Sequence, residues 1–306
     1  MEQPVPADHA GRVTRRRRRP RARLGKVLAP YLLSLPAGLW LLVFFLIPLV
    51  VMLSLSLQTC NFGTGACVMT WHWSEFSQQL SLYHAQFVNS FYFAGAATLI
   101  DLAVSFPIAY WIAFHGGRKK NFFLLMLLVP FFVSFVIRTT AWYTLLADQG
   151  TILTTVKNLH LVPDSFHVLA TPLAVIGGLA YNYLPFTALP LYVALERIDR
   201  RVMEASHDLY ATRRVAFTHV VLPLAVPGIF AAFLLTFVPA SGDYVNAAIL
   251  GGTNTVMIGQ VIQKKFLEAS DYPAASALSM VLLVLMLVGI AAYAKFLGSR
   301  TIEEYV

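Results

Sequence analysis

Three ionisable residues stand inside long apolar stretches of this chain: Asp101, Arg138 and Asp243. A charge facing lipid at mid-depth costs roughly 2.5–3.5 kcal/mol on insertion scales. Each must therefore face a protein interior, a partner or an interface. Asp243 carries the richest chemistry. A carboxylate at that depth attracts a polyammonium solute, and Trp142, Tyr183 and Tyr244 offer ring faces for cation–π contacts worth about 0.5–2 kcal/mol each. The competing reading makes Asp243 structural, either paired with Arg138 or capping a broken helix beside Gly242. Asp101 reads either as part of the same path or as a residue near the outer membrane face. Arg138 would repel a cation unless neutralised or turned away, so it reads as a structural or gate charge. Cys60 and Cys67 share one polar loop, where a local disulfide and two free thiols both remain open. The eight histidines form no ligand-spaced cluster, and no metal site is expected.

The elements that must position these residues are written in the composition. Of 306 residues, 58% are hydrophobic and only 12% charged, against roughly 25% charged in soluble domains. Mean hydropathy is +0.65. Such a chain cannot cover a water-facing surface of its own size. Six apolar stretches run over roughly 28–57, 86–114, 122–146, 169–194, 222–250 and 273–297. Each is long enough to span a bilayer as a helix, which satisfies its own backbone groups there. The expected fold is an all-α integral membrane protein of six transmembrane helices. Prolines at 36, 48, 130, 172, 185 and 190 invite kinks. The 13% of aromatic residues calls for nothing beyond interfacial anchoring and packing.

Orientation follows from Lys and Arg near the span ends. Nine basic residues lie in the first 26 positions, with an arginine run at 15–19. Arg118, Lys119 and Lys120 follow, then Arg197, Arg200, Arg201, Arg213 and Arg214, then Lys295 and Arg300. These nineteen share one side, against Lys157, Lys264 and Lys265 on the other. Both termini are therefore expected in the cytoplasm. The basic run reads as an orientation signal directly ahead of an apolar helix, rather than as a nucleic-acid patch or a cleaved leader. No G-x-x-x-x-G-K-[ST] phosphate loop occurs, so any ATP is bound by another chain.

The loop over 196–221 is the longest on the basic side, yet it is patterned. Asp199 is placed to cap a helix carrying Val202, Ala205 or Ser206, and Leu209 at helical spacing. Thr212 is placed to cap a second, with Val215, Phe217, Val220 and Val221. Two short amphipathic helices across a bundle end suit docking into a partner's groove, or rest on headgroups.

Glu204-Ala205-Ser206, Asp208-Leu209, Leu222-Pro223 and Pro227-Gly228-Ile229 resemble the signature loop of binding-protein-dependent ABC importer permeases of type I. The family glycine falls on Tyr210. A left-handed residue there suits glycine, and tyrosine costs about 1 kcal/mol if φ > 0 is kept. Phe135 through Trp142, Tyr181 through Phe186, and Gly242 through Val245 are similar to the corresponding stretches of spermidine/putrescine permeases. The resemblance implies a basic cytoplasmic tail over 1–27, a first transmembrane helix over 28–57, a permease core over 87–293 with coupling helices at about 199–221, and a tail over 294–306. It implies a transport subunit of the bacterial cytoplasmic membrane, not an enzyme. This chain would hold no cofactor, ATP and Mg being bound by partner ATPase subunits. A second, identical or distinct, permease and an extracytoplasmic solute-binding protein would complete the assembly in membrane lipid. Polyamine is the implied solute, with thiamine, ferric iron or phosphonate importers as alternatives. A stand-alone secondary transporter would need symmetry-related broken helices, and only one signature loop is found.

Overall fold

The computed structural model describes residues 23–61 and 66–303, with side chains described over 34–60, 67–199, 201–206 and 208–295. The arginine run at 15–19 and most of the two expected tails lie outside the described residues. The chain divides into two units, residues 1–51 and 52–306. Helix α1 (Arg23–Ser56) carries no charge after Lys26 and is mostly apolar, and up to Val51 its Leu35, Leu39, Trp40 and Phe45 are exposed. An apolar helix with that surface belongs in lipid.

The second unit departs from an all-α fold in one place. Strands β1 (Gln58–Asn61) and β2 (Ala66–Met69) form an antiparallel hairpin whose register sets Cys60 opposite Cys67. The two cysteines are joined in a disulfide, their Cα atoms 4.0 Å apart. Then come α2 (Ser74–Leu82), α3 (His84–His115), α4 (Lys120–Leu128), α5 (Phe135–Leu146) and α6 (Thr151–Asn158). The chain continues through α7 (Pro172–Glu196), α8 (Arg200–Asp208), α9 (Arg213–Ala216), α10 (Leu222–Ser241), α11 (Val245–Leu250), α12 (Ile258–Leu267) and α13 (Tyr272–Glu303).

Six spans are expected from the sequence. Among the described residues, four are long and apolar enough: Ser34–Ser56, His84–His115, Arg213–Ser241 and Tyr272–Lys295. A fifth arises if the bent pair Gly117–Phe132 and Phe135–Asn158 counts as one span. The two halves of that pair meet at 84°. The cause is local: Pro130 sits in a tight turn, Val129–Phe132, and Val133 and Ser134 are extended. The fourth stretch forms α7, 25 residues and ~37 Å long. Its Asn182, tyrosines and three prolines dilute its apolarity. It is also lined with buried residues, so it is a packed helix more than a lipid-facing one.

Helices α3, α7 and α10 carry the core. Phe93, Ala97, Leu179 and Ala240 belong to one apolar cluster, and Ala109, Leu191, Leu195, Ala225 and Ala232 to a second. Small residues bring the backbones together: a methyl group on Gly228 would overlap Cβ of Ala194. Between the clusters, Thr187 and Thr236 share a 2.6 Å hydrogen bond. On α3 the buried Thr98 donates to the carbonyl of Ala94 at 2.7 Å. Asp101 is 1% exposed on the same face, with Oδ2 unpartnered among the described residues.

Candidate functional site

The loop after α7 is built from its caps outward. Asp199 Oδ1 accepts from the backbone N–H of Arg201 at 2.9 Å and starts α8. Thr212 Oγ1 accepts from the N–H of Val215 at 3.4 Å and starts α9. Ser206 donates to the carbonyl of Met203 at 2.7 Å. Helix α8 closes with the Ala211 N–H on the carbonyl of Ser206 at 3.0 Å. That six-to-one bond defines a C-terminal motif whose penultimate residue is left-handed. The residue is Tyr210, at φ 59°. The turn geometry is thus kept despite the missing glycine, at a cost of about 1 kcal/mol. Tyr210→Gly is therefore expected to slow amide exchange of Ala211 about fivefold by deepening the local well. Unchanged exchange would mean the left-handed residue carries no strain.

The tip of this loop projects and its base is anchored. Leu209 is 82% and Tyr210 96% exposed, and Glu204, Ala205 and Asp208 are exposed with them. At the base, Phe217 packs edge-on against Phe106 and Tyr110, both at 5.8 Å between ring centres. Phe217–Val221 forms a single π-helical turn that feeds Leu222, Pro223 and, a turn later, Pro227 and Gly228 into α10. An exposed apolar tip on a fixed base can transmit a push to α3 and α10.

The second centre is a buried polar node where α5, α7 and α11 meet. Asp243, 6% exposed, accepts hydrogen bonds from Tyr183 and Asn246. Tyr183 Oη donates to Oδ2 at 3.1 Å. Asn246 donates its backbone N–H to Oδ1 at 2.9 Å and its side-chain N–H to Oδ2 at 2.8 Å. The amide oxygen of Asn246 accepts from Asn182 at 3.0 Å, and Asn182 also donates to Thr139 at 2.9 Å. Asp243 thus caps α11 after the break at Gly242, and its charge is met from within the chain.

Arg138 does not pair with Asp243. Its guanidinium carbon lies 4.4 Å from the ring centre of Phe131, 5.8 Å from Phe135 and 6.0 Å from Tyr181. Trp142 packs edge-on to Tyr181 at 5.3 Å. Tyr244 adjoins Asp243 but is 48% exposed and shares none of its hydrogen bonds. Asp101 lies in the α3 core face and makes no hydrogen bond to the node. Of the candidate path residues, then, only Asp243 and Tyr183 are joined directly. Thr139, Asn182 and Asn246 were not singled out from the sequence. Their signal is polar side chains inside apolar stretches, which in lipid must find partners.

Residues 79–297 match the family model described as binding-protein-dependent transport system inner membrane component. The chain belongs to that family. It is a permease component of an ABC importer, a multi-pass membrane protein that is a transport subunit rather than an enzyme. The spermidine/putrescine transport system permease protein PotB of Haemophilus influenzae is 34% identical over 86% of this chain and 93% of its own length. Two solved structures are similar in fold. One is a bacterial ABC transporter involved in import of the acidic polysaccharide alginate, at TM-score 0.71 and 19% identity over 91% of this chain and 99% of that one. The other is a bacterial alginate ABC transporter in complex with a periplasmic protein bound to an alginate pentasaccharide. It aligns at TM-score 0.67 and 20% identity over 91% of this chain and 98% of that one.

Proposed function

We propose that this permease moves polyamines, of the spermidine/putrescine class, inward across a bacterial cytoplasmic membrane by alternating access. The similarity to PotB over most of both chains carries this reading. The chain pairs with a second permease of the same fold. ATPase subunits, holding ATP and Mg, dock on the 196–221 loop, and a solute-binding protein delivers the cargo from outside. The alginate transporter crystallised with its periplasmic protein is the precedent for that last contact. The chain crosses the membrane six times with both ends in the cytoplasm, α7 and the bent pair supplying two of the crossings. The nineteen-to-three asymmetry of Lys and Arg supports that orientation.

In this cycle ATP binding closes the ATPases, α8 and α9 follow, and α7 and α10 re-pack. Differential contacts in the two states do the work. Asp243 keeps α11 docked on α7 through that movement. The test is ATP-dependent uptake of labelled spermidine and putrescine into vesicles carrying the chain with its co-encoded partners. Uptake that needs ATP and this subunit supports the reading. Binding-protein-stimulated ATP hydrolysis without polyamine uptake would discard the polyamine.

A further inference from the structure

Arg138 is a cation without a counter-ion. Among the described residues, no carboxylate comes within ion-pair distance of it. Asp243, the acid on the adjoining node, is already occupied by Tyr183 and Asn246. The Nε and Nη1 atoms of Arg138 are buried and have no acceptor among the described residues. Buried donors without partners are costly, and a guanidinium at membrane depth is costlier. What holds it is the faces of Phe131, Phe135 and Tyr181. A cation held by rings and by no anion marks a cation site, with Arg138 as its tethered occupant.

The cage is made from both sides of the bend. Phe131 lies in the turn before it and Phe135 with Arg138 after it, while Tyr181 comes from α7. Its shape therefore depends on the angle between the two arms. Phe135 also packs 6.1 Å from Tyr183, whose hydroxyl holds Asp243, so the cage adjoins a carboxylate. Ring faces favour organic ammonium groups, whose alkyl carbons are weakly hydrated, over strongly hydrated metal cations.

We propose that Phe131, Phe135 and Tyr181 form a subsite for an organic ammonium group, filled by Arg138 in the substrate-free permease and vacated when a substrate ammonium enters. The identity of the natural ligand rests on the polyamine reading above; the cage does not. The competition lets an empty permease stay closed, because displacing the tethered cation requires another cation to take its place.

The test uses the assembled complex without binding protein. Arg138→Leu is expected to bind labelled tetramethylammonium about tenfold tighter than wild type. Adding Tyr181→Leu is expected to abolish the gain, and Tyr181→Phe to keep it. Arg138→Met carries the same test if the leucine variant does not assemble. No gain, or a gain that survives loss of the Tyr181 ring, overturns the proposal. So does failure of both neutral variants to assemble while Arg138→Lys assembles, since the charge would then hold the structure. A complex whose Arg138→Leu variant gains tetramethylammonium binding but whose wild type imports no polyamine keeps the cage and loses the polyamine. A complex that imports polyamine while its cage variants gain nothing does the reverse.

Discussion

Glu204→Lys together with Leu209→Asp is expected to reduce co-purification of the ATPase with this permease at least tenfold and to abolish uptake. Leu209 is one of the most exposed large apolar side chains of the second unit. On a surface facing water that exposure has no structural benefit, and a projecting apolar residue marks a contact. On the proposed docking role, a carboxylate there would carry a charge into an apolar contact. Reversing Glu204 on the preceding turn changes the sign of the charge that the same exposed tip presents. A loss of about 1.4 kcal/mol of docking energy is already tenfold in affinity, and buried anchors routinely exceed that. Both residues are exposed on the loop, so the spans should insert and the subunit should accumulate as in wild type. The measurement is the ratio of ATPase to permease after affinity purification in detergent. An unchanged ratio would remove this loop from the docking surface.

That loop was legible because its parts are contiguous. Asp199 and Thr212 stand at the starts of short periodic segments, and both act as caps in the folded chain. Even the substituted glycine position announces itself, because the backbone keeps φ 59° at Tyr210. The polar node was not legible. Thr139, Asn182, Asp243 and Asn246 come from three helices and a break, and no spacing in the sequence joins them. The hydropathy of 122–146 is continuous, so it reads as one span with a kink at Pro130. Apolarity reports where a chain sits in lipid and is silent about direction, and the 84° bend was visible only as Pro130. The same blindness hid the partners of Arg138. Its charge demanded an anion by rule, whereas the fold supplies rings drawn from before and after the bend. For α7, buried polar residues lower its apolarity because much of its surface faces neighbouring helices.

Asp243→Ala is expected to lower the unfolding midpoint of the purified permease on the order of 10 °C and to abolish uptake. The substitution strips two acceptor atoms from a buried site. The Tyr183 hydroxyl, the Asn246 backbone N–H and the Asn246 amide each lose an acceptor. An unsatisfied buried donor costs about 1–3 kcal/mol, and no water reaches the centre of a bundle cheaply. Relaxation recovers part of this, leaving about 2–4 kcal/mol. Tyr183→Phe removes one donor and leaves those of Asn246 in place, so it should cost about 1 kcal/mol. Asp243→Asn separates the structural role from a substrate role. An amide can still accept from the Asn246 backbone. Its own N–H group, however, faces the Asn246 amide N–H, and flipping Asn246 would break its bond to Asn182. The Asn variant should therefore fall between wild type and alanine in stability, with uptake falling in step. If Asp243→Asn instead unfolds at the wild-type midpoint yet imports nothing, the carboxylate acts on the passing cation and not on α11.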